Sequence, residues 1–153
     1  MKKVIVLMIV GLCVGGVVWA DTVKEVKQAI KESFAYSNEK LIDQDDTVSK
    51  HGSLQFWSSG GFMHEVGADS EPSEYVSSNI QAKHIQVIPL VEDEVAVALF
   101  YAEGSMQVKG QTPVGHYMTR AMEVYVKEDG KWKVRASHWS PVAAGAGTSQ
   151  TAE

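Results

Sequence analysis

The hydrophobic pattern changes its period once along the chain. Between residues 22 and 36 the apolar positions recur at intervals of three and four, which places them on one face of an amphipathic helix. These positions are Val23, Val26, Ile30 and Phe34. Thr22 and Glu25 have the spacing of a capping box at a helix start. The pattern therefore predicts a helix from about Thr22 to Tyr36.

Two shorter segments also show helical patterns. Residues 38–48 place a few apolar side chains among acidic ones, and a short helix is predicted over residues 70–78, where Pro72 suits a first turn. Between them lie turn residues around an aromatic pair, Phe56 and Trp57.

From residue 83 onward the apolar residues alternate with polar ones, as in strands. The strands are predicted over residues 84–90, 94–108, 116–127 and 131–140. Helices followed by an antiparallel meander are typical of an α+β domain with the helices on one face of the sheet.

The last hairpin, residues 116–140, predicts which side chains face the interior. Its even-numbered positions are mostly apolar, so the even face is expected to point inward. A three-residue loop ending at Gly130 would preserve that face across the hairpin. This register places Arg120 opposite His138 on the inner face. It places two further pairs on the outer face, Glu123 with Arg135 and Tyr125 with Lys133.

An inward-facing arginine predicts an anionic partner. A buried guanidinium must be compensated by a protein carboxylate or by a ligand. Beside that cation, His138 would remain neutral near pH 7 and could act as a hydrogen-bond partner or a general base. Two interpretations stay open. Arg120 holds a ligand, or it pairs with a carboxylate such as Glu103 while His138 satisfies backbone groups.

The same hairpin resembles the closing segment of SnoaL-like domains, in the nuclear transport factor 2-like superfamily. The resemblance rests on an arginine, alternating apolar residues, an Asp-Gly-x-Trp turn and a final His-x-Ser. The matching residues are Arg120, Asp129, Gly130, Trp132, His138 and Ser140. The order of elements also matches over nearly the whole of residues 21–142.

The resemblance implies a cone-shaped α+β fold in which N-terminal helices pack on a curved antiparallel sheet and enclose a pocket. It does not imply one reaction, because this superfamily includes isomerases, dehydratases, cyclases and proteins without known chemistry. The expected function is binding of a small molecule with an anionic or carbonyl group. An acid–base enzyme using His138 and a non-catalytic dimeric interaction protein are the alternatives. The expected ligand-binding residues are Arg120, Ser140, His116, Met118, Met122, Trp57, Tyr101 and Glu103.

The N-terminus predicts export. Lys2 and Lys3 precede an apolar run that ends at Ala20, as in a secretory signal peptide, so the protein is expected to be periplasmic or secreted. The alternative is an uncleaved anchor, because the 17 residues of Val4–Ala20 reach the lower limit for spanning a bilayer, about 17. Cleavage after Ala20 leaves one domain, 21–142, and a loose small-residue tail, 143–153.

The amino-acid composition limits the classes of partner that the protein is expected to bind. Residues 21–153 hold 12 basic and 19 acidic residues, a net charge of −7, which argues against nucleic acid and anionic membranes. The only cysteine, Cys13, lies in the signal segment, so disulfides and thiolate sites are not expected in the mature chain. The five histidines lack the spacing of a metal site, and no cofactor is predicted.

Three large aromatic residues fall on the predicted outer face of the sheet: Tyr117, Tyr125 and Trp139. Such residues on an exposed face indicate a surface that something covers. The sequence therefore predicts a homodimer formed through the outer face of the sheet.

Overall fold

The computed structural model describes the backbone of residues 15–142 and the side chains from residue 21 onward. The expected tail, 143–153, and most of the expected signal peptide lie outside the described residues. The elements are α1 (Gly15–Lys40), β1 (Ser53–Phe56), β2 (His64–Val66), β3 (Tyr75–Val91), β4 (Val95–Val108), β5 (Val114–Glu128) and β6 (Lys131–Pro141). Within the described part, no helix combines the length and hydropathy needed to cross a membrane.

The six strands form one curved sheet that is not closed, in the order β2-β1-β6-β5-β4-β3. All neighbours are antiparallel except β1, which runs parallel to β6. The helix α1 packs on one face, mainly against β3. We call this the inner face, and the opposite one the outer face. The predicted α+β architecture is confirmed, with one helix where several were expected.

The core lies between α1 and the inner face. Val26 and Ile30 of the predicted helical face are almost fully buried, and they pack with Phe100, Ala96 and Ala98 of β4. The helix begins well before Thr22, so Thr22 is not its cap. The Thr22 hydroxyl is buried and accepts a hydrogen bond from the backbone N–H of Asp93, at 3.1 Å.

The two weaker helix predictions are wrong: α1 ends at Lys40 within the first segment, and β3 begins at Tyr75 within the second. After α1 the chain turns at Leu41, with φ 57°. The Tyr75 N–H then donates to the Leu41 carbonyl at 2.8 Å, and β3 begins at Tyr75. The Asn38 side chain fixes the junction by donating to the Ile80 carbonyl at 2.7 Å and accepting from the Ile80 N–H at 2.9 Å.

The four long strands agree with the predicted ones, although β3 starts about nine residues earlier than expected. The predicted register of the β5–β6 hairpin is wrong. Asp129 and Gly130 both have positive φ, 51° and 77°, and form a two-residue turn that pairs Glu128 with Lys131. Arg135 is then an extra residue in β6, because Tyr125 pairs with Val134 and the next residue, Val124, pairs with Ala136.

This register changes the faces of β5. Its odd-numbered residues Ala121, Glu123 and Tyr125 are buried on the inner face. Arg120 and Met122 therefore project from the outer face, and Arg120 pairs with Ser140 instead of His138. The expected outer pairs of Glu123 with Arg135 and of Tyr125 with Lys133 do not form. The bulge at Arg135 changes which residues of β6 face inward: Trp132 and Val134 do so before it, and Trp139 does so after it.

The close approach of Gly104 to the neighbouring strand gives a test of the sheet geometry. Its φ is 149°, and an added Cβ would lie 1.9 Å from the Asn79 carbonyl oxygen of the paired strand. Gly104→Ala should lower the free energy of unfolding by about 3 kcal/mol, because the strand must move and the backbone is strained. Urea denaturation measures the change. Gly115→Ala, where no atom lies within 4 Å of the new Cβ, is the control. Equal stability of both variants would contradict the close approach of Gly104 to the Asn79 carbonyl.

Candidate functional site

A groove of about 540 Å³ crosses the outer face over β3, β4, β5 and β6. Strand register arranges its side chains in two rows. In the first row Tyr101 pairs with Arg120, which pairs with Ser140. In the second row Gln86 pairs with Leu99, and Met122 lies between Leu99 and His138. The lining residues are His84, Gln86, Leu99, Phe100, Tyr101, Arg120, Ala121, Met122, His138 and Ser140.

Arg120 is the only cation that lines this groove in the described residues. Its Nε donates to Ser140 Oγ at 2.9 Å, which holds the guanidinium in place. Within residues 21–142 it forms no ion pair, and no hydrogen bond from either Nη is present. The interpretation that Arg120 pairs with Glu103 is therefore wrong. The two Nη groups remain available to an anion.

His138 lies at the β6 end of the groove. Its ring centroid is 5.6 Å from that of Phe56, which is its pairing partner on β1. No hydrogen bond to either ring nitrogen is present among the described residues. A general base is usually oriented by a third group through such a bond. The described geometry therefore fits a contact residue better than a positioned base.

His84 lies at the β3 end and was missed by sequence reasoning. It sits in a bulge between Lys83 and Gln86, with φ 53°, a conformation that a residue with a Cβ seldom adopts. Its ring meets Tyr101 edge to face, with centroids 6.1 Å apart. The sequence carries no signal for this bulge, because the usual marker, glycine, is absent.

The structure brings together five of the nine predicted site residues. Arg120, Ser140, Met122, Tyr101 and His138 all line the groove. They do so on the outer face, so the expected enclosed pocket with an inward-pointing Arg120 is wrong. An open groove takes its place.

The other four predicted residues do not line it. Glu103 and Met118 pair with each other in the row beyond Arg120, and both are exposed, as is His116. Trp57 follows β1 and stacks on His64, with centroids 3.8 Å apart. In the described residues no group of three or more His, Cys, Asp or Glu is arranged to hold a metal ion.

The aromatic residues expected on the outer face are on the other side. Tyr125 is buried, and Trp139 packs against the core beside Phe34 and Phe100. The Tyr117 hydroxyl lies 3.0 Å from Ser58 Oγ. The exposed large side chains of the sheet are instead those of its outer face, including Leu99 at 40% and Met122 at 49% exposure.

A buried carboxyl on the inner face was also missed, because the predicted register placed it outside. Glu123 accepts hydrogen bonds from Tyr125 Oη at 2.5 Å and from Trp139 Nε1 at 3.2 Å. Burial raises the pKa of Glu123, and these two hydrogen bonds only partly oppose the rise. No cation pairs with it among the described residues.

No family model and no curated protein sequence matches this chain. Solved structures do. A nuclear transport factor 2-like protein of unknown function from Pseudomonas putida KT2440 has a TM-score of 0.51 and 12% identity, over 86% of this chain and 94% of that one. A second solved structure, from Xanthomonas campestris, is named as a candidate association domain of calcium/calmodulin-dependent protein kinase II. It has a TM-score of 0.50 and 16% identity, over 80% of this chain and 86% of that chain.

A dehydratase candidate of the same fold family from Streptomyces avermitilis has a TM-score of 0.47 and 16% identity, over 82% of this chain and 99% of that chain. At these identities the likeness concerns the fold. The chain has the nuclear transport factor 2-like fold.

The buried Glu123 predicts a pH dependence of stability. Both states are protonated below the unfolded pKa, about 4.3, so the full stability is present there. As pH rises toward the elevated folded pKa, folding increasingly requires the carboxyl to hold its proton, and the free energy of unfolding falls. Glu123→Gln should be more stable than the parent at pH 7.5 and lose this decline, since a neutral amide can still bond Tyr125 and Trp139.

Urea denaturation at several values between pH 4.5 and 8 measures the difference. Glu71→Gln, at an exposed carboxyl, is the control and should follow the parent. A Glu123→Gln variant that is less stable than the parent across this range would show that the ionised carboxylate stabilises the fold.

Proposed function

We propose that the protein is an exported binding module that holds a small molecule with an anionic or carbonyl group in the outer groove. Its mature form would begin at Asp21 and act in the periplasm or outside the cell. The observation that carries the proposal is the Arg120 guanidinium, which is anchored by Ser140 and has both Nη groups uncommitted in a largely apolar groove.

The size and composition of the groove support this proposal. Its volume of about 540 Å³ lies within the range typical of small-molecule sites, about 300–1,000 Å³. Such sites are mostly apolar with a few polar groups that fix orientation. Leu99 and Met122 supply apolar surface here, and Arg120 supplies the polar anchor. Binding is favoured over acid–base catalysis, because His138 lacks an orienting hydrogen bond among the described residues.

Arg120→Gln should abolish ligand retention. Charge-assisted hydrogen bonds contribute about 1.5–3 kcal/mol, so the affinity should fall about 10- to 100-fold. Native mass spectrometry of protein purified from a bacterial periplasm reports the retained mass, and the same spectra show whether the chain begins at Asp21. Lys109→Gln removes a positive charge from an exposed ion pair with Glu74 and is the matched control. Retention of the same extra mass by Arg120→Gln would contradict the proposal.

The outer face supports a second candidate, self-association. Ile88, Leu99, Tyr101 and Met122 are each 40–51% exposed on a sheet face that no helix covers in the described residues. Contiguous apolar surface of this kind commonly marks a protein interface. One solved structure with this fold bears the name of an association domain, so the fold is compatible with assembly. A homodimer through the outer face would bury these side chains.

Met122→Glu should convert such a dimer to a monomer, because the carboxylate would have to lose its water in an apolar interface. Analytical ultracentrifugation measures the mass. Phe62→Glu makes the same change at a 94% exposed residue of the β1–β2 loop and should leave the dimer intact. A parent protein that stays monomeric at high concentration would eliminate this candidate without bearing on Arg120.

A further inference from the structure

We propose that the outer groove selects flat, largely apolar monocarboxylates, with the carboxylate on Arg120, the apolar body on Leu99 and Met122, and His84 as a specificity-determining contact at the β3 end. This inference rests on the proposed function and gives its ligand a chemical class. Three features of the groove lead to it: its two rows, the charges around Arg120, and the strained backbone at His84.

The two rows give the ligand a footprint. Neighbouring strands are about 4.8 Å apart, and residues on one face of a strand are about 6.8 Å apart. Four strands and two rows therefore span about 14 Å by 7 Å. A sheet surface of this area suits a flat molecule of one or two rings. The row of Leu99 and Met122 meets the body of such a molecule, and the row of Arg120 meets its polar end.

The charges favour a monocarboxylate. The two free Nη groups of Arg120 match the two oxygens of a carboxylate, whereas a neutral carbonyl offers one acceptor atom. Glu103 lies diagonally across from Arg120 on the neighbouring strand, and such diagonal neighbours are about 7–8 Å apart. A dianionic phosphate would be repelled by that carboxylate more strongly than a monoanion. Within the described residues, the groove has no second lysine or arginine to offset the repulsion.

His84 shows that the β3 end is shaped for contact. Its positive φ is unfavourable for any residue with a Cβ, and such strain persists where a side chain has a role. The bend turns the imidazole toward Tyr101 at the edge of the groove. Glycine would adopt this backbone without strain. The histidine therefore costs stability at a position where its side chain lines the groove.

A series of probes of equal charge tests the class. Isothermal titration calorimetry at pH 7.5 would compare acetate, benzoate and 2-naphthoate. The uncharged analogue of 2-naphthoate is 2-naphthalenemethanol. Affinity should rise by about tenfold with each ring, because more apolar surface leaves water. The alcohol should bind at least tenfold more weakly than 2-naphthoate, because a charge-assisted bond is lost.

Four variants assign the contacts. Arg120→Gln should weaken every carboxylate, and Met122→Ala should weaken 2-naphthoate while leaving acetate unchanged. Glu103→Gln should tighten all carboxylates by about two- to threefold by removing a nearby like charge. Glu71→Gln, at an exposed carboxyl on the loop before β3, is its control. His84→Gly should weaken 2-naphthoate at least threefold while leaving the urea midpoint equal or higher.

The outcomes separate the two proposals. If the three carboxylates bind with the same affinity whatever their number of rings, the proposed selectivity for apolar ligands is wrong. The proposed binding function would be unaffected by that result. No saturation by any probe up to 10 mM, a concentration on the order of weak-fragment affinities, would overturn the monocarboxylate class. If the parent protein also retains no mass that Arg120→Gln loses, the binding function is overturned as well. A His84→Gly protein that gains stability without losing affinity would remove His84 from the site.

Discussion

The two-residue turn at Asp129-Gly130 is the constraint on which the rest of the structure depends. Because a strand's side chains alternate, the register of one hairpin decides which residues of β5 and β6 meet the helix and which meet solvent. The turn pairs Val126 with Lys133, which leaves the neighbouring pair, Tyr125 and Val134, together on the inner face. The extra residue at Arg135 then switches β6 from even-numbered to odd-numbered inner residues, so that Ser137 pairs with Glu123 on the inner face and Ser140 pairs with Arg120 on the outer face. One turn and one bulge thus determine the composition of both faces.

The helix and the strands could be predicted from the sequence because burial of one face gives their apolar residues a regular spacing. Val26 and Ile30 were predicted on the buried side of α1, and β4, β5 and β6 were predicted nearly at their observed bounds. The faces of β5 were not readable. Ala121 and Tyr125 lie on one side and Met118 and Met122 on the other, so both sides of this strand are partly apolar, and hydropathy cannot choose between them.

The two wrong helix predictions have a related cause. Residues 38–48 and 70–78 carry weak local patterns, and weak local preference yields to tertiary hydrogen bonds. Asn38 binds both backbone groups of Ile80, and this long-range contact joins the end of α1 to β3. The candidate site depends on similarly non-local facts. Its residues come from four strands, and its least predictable member, His84, owes its position to a bulge.

The parallel pairing of β1 with β6 has a consequence for the order of assembly. Strands β3 to β6 join neighbours in sequence and can form by successive hairpins, whereas Phe56 must find His138, on the order of eighty residues away. An early segment of the chain therefore waits for the last strand. Until β1 pairs with β6, the aromatic residues of this early segment have no partner strand, and the open edge of β6 remains available to other chains. The first strand in the sequence is thus among the last to join the sheet.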